Sequence, residues 1–552
     1  MKKLLLILLV CSLQTLVAQN NNYSLKWGNT SRSKIYSTDF LGRNTKGDYI
    51  FYAGRQRVVP LLFVALLRKK DYFNVYDNKL NFKESIEMDL PKLKANSYSS
   101  EKLLARTAIR IGRDAYILQQ QQDGGNYVLQ AWKVDLNKPK LGKSIIIGKI
   151  PDANDIRNAV PNVSISPDST KILVYFPTVN YSKDKEGYYF FVLNNDLSKN
   201  WSGRGDIPYA EDDYVNQDVT IDNQGFVIVT GRRFIPKKDR IRGDPKWEPV
   251  ILRYTEKGKP ERLELNPAGK FVQKTFLAAG RNNQTLAIGF YGNNRVDEQD
   301  GLFFAKVGGE GKLEGTRTYE FDNAFLTSTM REGSAERAKK RMDNDGTEDF
   351  SESNFEFKDL ILTADGGFLA LGQQYYYTVS TYQNGVGVTY NSTFSYNHIY
   401  GDIVAAKFSS DGGLAWTKKL NHYNVINTGS PVMPFERQYG FTTKNSKTYI
   451  VFEDDERAID NRDHRKAFDF NKSTATVVAE ISADGDIRRS NIETALEREN
   501  YRLFYPSITT VENGKILMAS TMRLKIMPIP ISSYWPKNRQ TNFCLKQNWK
   551  GN

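Results

Sequence analysis

Histidine and cysteine are nearly missing from this chain, which has three of one and two of the other among 552 residues. The imidazoles are His398, His422 and His464, and none stands beside a nucleophile elbow, so a Ser-His-Asp relay has no visible seat. No HExxH element, no pair of CxxC elements and no phosphate-cradling glycine loop occurs either. No catalytic residue can be named. Cys11 lies in the apolar N-terminal segment, and once that segment is removed Cys544 has no partner for an intramolecular disulfide. Beyond the N-terminus no apolar stretch is long enough for a transmembrane helix. No linker rich in Pro, Gly or Ser divides the chain. Blocks of one charge are missing too. Lys and Arg number 77 against 63 acids, a net charge of +14, but the basic residues are scattered, which argues against nucleic-acid binding.

What is present begins with "MKKLLLILLVCSLQTLVAQN", two lysines, an apolar run and Ala18 at a cleavage position, which reads as a signal peptide over 1–18. Val10 is larger than the small residue that lipoprotein processing at Cys11 would want. The expectation is an exported protein of the periplasm, with association with the outer membrane left open.

The remainder, 19–552, reads as one domain. "ILTADGGFLALG" (361–372) and "AAKFSSDGGLAW" (405–416) both run from alternating apolar residues through an Asp-Gly turn into alternation again. "TVVAEISADGDIRRSNI" (476–492) and "PVILRYTEKGKPERLEL" (249–265) repeat the plan, and "DVTIDNQGFVIVTG" (218–231) precedes the latter. The unit is strand, turn, strand, longer loop, strand, turn, strand, occurring seven or eight times. A four-stranded unit buries only part of its apolar surface, and radial stacking removes the exposed faces. The fold class expected is all-β: a β-propeller of seven or eight four-stranded blades. Separate β-sandwiches would use the same hairpins, but the missing linkers speak against them. The strand-like "YSLKWG" (23–28) is expected to complete the last sheet and clip the ring, while the tail with Trp535 and Trp549 reads as irregular.

Three excursions break the rhythm. In 233–249, Lys237, Lys238, Arg240 and Arg242 with Trp247 form a basic stretch with one aromatic; its plain reading is a solvated loop. In 320–358 a basic start suggests a short helix, and "DNDGTED" sets Asp343, Asp345 and Asp349 on a Gly-containing turn. Such carboxylate density could hold Ca2+, although the full twelve-residue loop signature is absent and a solvated loop is the simpler account. No other cofactor is expected. In 375–400, Tyr375, Tyr376, Tyr377, Tyr382, Tyr390 and Tyr396 suggest an extended hairpin with large contact area at low rotamer cost. Tyrosine is also an ordinary sheet residue. The densest polar segment, "DDERAIDNRDHRKAFD" (454–469), could supply a carboxylate pair or metal ligands, but interleaved Arg and Lys fit a loop laced with ion pairs.

The block "ADGGFLALG…AAKFSSDGGLAWTKKL", with Trp416 after the second turn, resembles repeats of exported Bacteroidetes β-propeller proteins. The resemblance is clear over about 360–420 and fainter at 476–492; Trp132 and Trp201 do not keep the turn spacing. It implies an envelope address and membership of an envelope or outer-membrane protein complex, such as a secretion or gliding assembly. The functional expectation is a non-catalytic interaction or scaffold module. The alternative is a propeller enzyme or binding protein acting on glycans or peptides, its acids gathered from separate blades.

Overall fold

The computed structural model describes the backbone from residue 23 to residue 549 apart from connecting segments, the longest being 28–35, 91–105, 151–160, 239–246, 429–436, 456–473 and 523–542. Side chains of 54–69, 382–393 and the residues beyond 490 lie outside the description, as does the expected signal peptide.

Eight four-stranded antiparallel sheets are described, one of them widened by a fifth strand. Seven use strands consecutive in the chain: residues 36–87, 106–150, 162–206, 214–263, 271–320, 355–420 and 439–493, numbered here blades 1 to 7. Blade 8 joins Tyr501–Glu512, Lys515–Met522 and Phe543–Trp549 to the N-terminal strand Tyr23–Trp27. The pairing runs from Tyr23 opposite Trp549 to Trp27 opposite Leu545. The clasp expected of "YSLKWG" is therefore formed. The tail expected to be irregular supplies its partner strand, since "FCLKQNW" can hydrogen-bond on both edges once the N-terminus arrives.

The first strand of blade 8 lies against the first strands of blades 7 and 1, which closes the ring. First strands also meet between blades 1 and 2, 3 and 4, 4 and 5, and 5 and 6, so they surround the axis. The chain is a β-propeller. Its six larger cores lie between blades. Leu118 and Leu129 of blade 2 pack with Val174 and Phe191 of blade 3. Ile288 and Phe304 of blade 5 pack with Phe368 and Phe408 of blade 6, whose rings stack at 5.1 Å.

The excursion at 320–358 contains the expected helix, Glu332–Asp345, after a shorter one, Asn323–Thr327. Asp322 caps the shorter helix, its carboxylate accepting from the Phe325 N–H at 2.6 Å. The excursion is not simply solvated. Phe321, Phe325, Leu326, Ala338 and Met342 enter the core shared by blades 5 and 6.

Turn chemistry explains the repeating motif. In "TADGG" the Gly366 N–H donates to the Thr363 carbonyl at 3.0 Å with Gly366 at φ +91°, and Asp365 accepts from the Thr363 hydroxyl and the Gly367 N–H. Gly412 repeats this at φ +92°, where a Cβ would overlap the Phe304 ring of the neighbouring blade. At the matching positions of blades 1 and 3 stand Leu80 (φ 69°) and Leu197 (φ 67°), both buried. A left-handed backbone costs a non-glycine residue about 1–2 kcal/mol, while burying a leucine returns about 2–3 kcal/mol. Burial wins at those two turns. Accordingly Leu197→Gly should lower stability by about 2 kcal/mol despite relieving the backbone. Gly412→Ala should cost about 3 kcal/mol or more. Denaturant unfolding of each variant checks both, and a Leu197→Gly chain as stable as its parent would show that strain outweighs packing there.

Candidate interaction surface

Strands alternate in direction within a blade, so the 1–2 and 3–4 turns emerge on one face of the ring. The 2–3 connections and the links between blades emerge on the other. The first face carries short turns such as 363–367, 409–413 and 482–486. The second carries the hairpin of blade 6, the helices between blades 5 and 6, and the ends from which the strands Val227–Phe234 and Lys447–Asp455 lead into the longer connections of blades 4 and 7. All three excursions seen in the sequence thus share a face.

The largest is the blade 6 hairpin, strands Phe368–Asn384 and Asn391–Phe408. The first strand of the blade stops pairing at Gln374, yet the hairpin pairs on from Tyr375 opposite Tyr400 to Asn384 opposite Asn391. The strand Asn424–Thr428 adds to its base, opposite Tyr396 to Tyr400. That third strand was not legible in "NVINT", which is too short and polar to announce itself.

Period-2 alternation divides the hairpin into two unlike faces. One carries Tyr375, Tyr377 and Val379 opposite Tyr400, His398 and Tyr396. Tyr375 and Tyr400 stand 5.1 Å apart, Tyr377 and His398 5.9 Å, and Tyr377 and Tyr396 6.0 Å, making a continuous aromatic ladder. It rises from fully buried Tyr400 through half-buried Tyr375 and Tyr396 to Tyr377, Val379 and Phe394, which are 47%, 49% and 53% exposed. The other face is built of amides and hydroxyls: Asn397 Nδ2 donates to Ser380 Oγ at 3.2 Å, and Asn427 Nδ2 to Asn397 Oδ1 at 2.7 Å. Tyr376, 36% exposed, stands on that side.

Of the tyrosines picked out by sequence, Tyr375, Tyr377 and Tyr396 are therefore brought together on one face, and Tyr376 stands on the other. Tyr382 lies further along the same strand with its side chain outside the description, and Tyr390 lies outside the described residues. Sequence reasoning missed Val379, Phe394, His398 and Tyr400, although the alternation in "FSYNHIY" was its signal. His398 is buried, its Nδ1 2.8 Å from Tyr375 Oη and its Nε2 3.0 Å from Thr428 Oγ1. Burial raises the pKa of Tyr375 above its usual value.

Other candidates are placed differently. Trp247, expected on an exposed basic excursion, is buried at the start of the strand Trp247–Tyr254, opposite Phe234, with the Arg232 guanidinium 5.6 Å from its ring. Two paired strands reach further into 233–249 than the charge run suggested, and the indole fills their junction. Lys238 is exposed, whereas Lys237, Arg240 and Arg242 lie outside the described residues. Asp343 and Asp345 sit in the last turn of the helix Glu332–Asp345 rather than on an open turn, and Asp349 lies outside the description. Among the described residues no group of three His, Cys, Asp or Glu could hold a metal ion. Asp454, the first acid of the densest polar segment, is buried and accepts from Arg489 at 2.5 Å; residues 456–473 lie outside the description.

Comparison with known proteins identifies no family: no family model and no curated protein matches. Solved structures with a likeness include the Dos1 propeller, at 7% identity over 94% of each chain with a TM-score of 0.37. The β-propeller domain of the Trilobed protease from Pyrococcus furiosus shows 9% identity over 84% of this chain and 98% of its own, TM-score 0.33. The polysaccharide lyase Uly1 shows 11% identity over 83% and 92%, TM-score 0.33. Likenesses this distant say nothing about activity, and the propeller rests on the strand pairing. No helix among the described residues is long and apolar enough to cross a membrane.

A buried polar cluster fixes the base of the hairpin. Gln373 Nε2 and His422 Nδ1 both donate to the Gly401 carbonyl, at 3.2 and 3.1 Å. Gln373 Oε1 accepts from the Gln438 N–H of the adjoining link, and Asp402 accepts from the His422 N–H. Burial pushes the His422 pKa down to about 4, with Asp402 pulling upward and Arg489 downward. Among the described residues Nε2 has no hydrogen-bond partner, so a second ring proton would find no acceptor among them. The native state holds this histidine neutral while the unfolded chain takes a proton at its ordinary pKa. Stability from this site is therefore complete above about pH 6.5 and is lost as pH falls toward 4, by about 3 kcal/mol at most. His422→Asn, which keeps a donor but cannot titrate, should flatten the melting temperature between those limits. An unchanged slope would place the titration elsewhere.

Proposed function

We propose that this propeller is a non-catalytic interaction module of the bacterial cell envelope, held against another envelope or outer-membrane protein through the blade 6 hairpin. The observation that carries the reading is the aromatic ladder. Among the nine large hydrophobic residues exposed in the described part, four lie on this hairpin: Tyr376, Tyr377, Val379 and Phe394. Side chains of this kind, pre-ordered on a sheet whose base is locked by buried hydrogen bonds, lose little entropy when a partner covers them. Membership of a secretion or gliding assembly is the version suggested by the resemblance over 360–420. Of the carboxylates in 454–469 that could serve catalysis, Asp454 is held by Arg489, while residues 456–473 lie outside the described residues.

Replacing residues 380–395 by Asn-Gly would close the hairpin after the Val379–Tyr396 pair with a two-residue turn. The shortened chain should melt with its parent but recover far less partner from solubilised envelopes. Tyr377→Ser with Phe394→Ser should weaken the same capture by about tenfold or more. Equal recovery by the folded variants would remove the hairpin as contact surface. Turnover of a glycan or peptide by the intact protein would overturn the non-catalytic reading.

A further inference from the structure

Blade 1 carries a second long hairpin on the elaborated face, in the strands Tyr49–Leu61 and Val64–Tyr76. Its outer neighbours stop early: the first strand of the blade pairs only as far as Gly54, and the fourth only as far as Tyr72. From Arg55 opposite Lys70 to Leu61 opposite Val64 the hairpin is, among the described residues, a ribbon of two strands.

Beyond the N-terminal segment, the composition of this ribbon is unlike anything else in the chain. From Val58 to Leu67 the sequence reads "VVPLLFVALL", with no polar residue. Successive strand residues alternate between faces, so neither face of such a ribbon is polar. A groove on a folded protein would cover one face and leave the other wet, whereas lipid surrounds both. Immediately behind the apolar part come Arg55, Arg57, Arg68, Lys69 and Lys70, with no acid between 55 and 70. Register sets Arg57 opposite Arg68 and Arg55 opposite Lys70. Like charges directly opposite destabilise a ribbon in water, and an anionic layer at that level removes the penalty. Lys70 pairs with Glu87 at 2.6 Å, so the collar is taken from the sequence as Arg55, Arg57, Arg68 and Lys69.

We propose that this hairpin seats the propeller on an anionic lipid surface, its apolar end at the headgroup–acyl boundary of one leaflet and its basic collar among the headgroups. Length limits the depth. The four pairs from Val58–Leu67 to Leu61–Val64 extend about 13 Å, less than half of a hydrocarbon core of about 30 Å. Spanning is excluded by that length, and an open-edged ribbon would leave backbone groups unsatisfied deeper in lipid. At the boundary, water and headgroups still reach those edges. The ring would then present its elaborated face to the membrane, with the blade 6 hairpin beside a partner anchored there. The inference concerns a different hairpin and a different class of ligand from the protein contact above, and each can fail alone.

The test uses the full chain with Cys11→Ser and Cys544→Ser, labelled at Leu61→Cys with an environment-sensitive fluorophore. A second chain carries the label at Leu66→Cys on the opposite strand. Both are mixed with vesicles of phosphatidylglycerol and phosphatidylethanolamine, or of phosphatidylcholine alone. A local label separates the hairpin from any binding by the apolar N-terminal segment. The expected result is a blue shift on the anionic vesicles, with apparent affinity falling about tenfold or more at roughly 0.5 M salt. Changing Arg55, Arg57, Arg68 and Lys69 to Gln should cause a similar fall with an unchanged melting temperature. No shift on either vesicle, or an equal shift on both without salt dependence, overturns the proposal. A shift that follows protein concentration without lipid would show that a second copy covers the hairpin, and overturns it as well.

Discussion

Everything in this molecule depends on apolar contact between sheets that cannot stand alone. Blade after blade is apolar on both faces, and six cores in succession are each shared by two neighbours, from blades 1 and 2 to blades 6 and 7. An isolated four-stranded sheet of this composition would expose two hydrophobic faces. Stacking in a ring gives every face a neighbour, and the strand Tyr23–Trp27 completes the last sheet from the other end of the chain. Polar pins then set one blade against the next. Trp201 donates through Nε1 to the Gly225 carbonyl at 3.0 Å, Trp416 to that of Ala483 at 2.9 Å, and Tyr319 through its hydroxyl to that of Gly412 at 2.6 Å.

The same architecture separates structure from recognition. The face of short turns has little freedom, because its Asp-Gly geometry is closed by local hydrogen bonds and by rings of the neighbouring blade. Gly485, at φ +87°, has no room for a Cβ against Trp416. The opposite face tolerates length, since a 2–3 connection can grow outward without disturbing the stacked cores. Both long hairpins grew there. One ends in aromatic residues above a locked polar base, the other in an apolar ribbon behind a basic collar.

That polar base shows how a buried cost can be turned to positioning. Gln373, Asp402 and His422 are buried in the shared core region between blades 6 and 7, where unpaired groups would be expensive. Their hydrogen bonds converge on Gly401 and Gln438, where the hairpin leaves the blade. The hairpin consequently departs in one direction rather than several.

Much of this was legible in the residues alone. Alternation on either side of Asp-Gly turns, repeated with four strands per unit, determines the blades because period and turn chemistry are local. The hairpin at 375–400 was legible for the same reason, and so was the helix within 320–358. Burial was not. Trp247 looked like an exposed aromatic among lysines and arginines, yet it fills a junction whose other wall, Phe234 and Arg232, only the strand pairing brings near. Leu80 and Leu197 occupy turn positions that local rules reserve for glycine, because the cores around them, aromatic residues of blade 1 for Leu80 and side chains of blades 2 and 3 for Leu197, reward burial more than the backbone penalises it. The residues by themselves determined which segments pair with their immediate neighbours. Which side chains face water, which excursions share a face, and that the partner of the expected N-terminal clasp is the strand at residues 545–549 were decided by the ring, since those relations join parts of the chain that no local period connects.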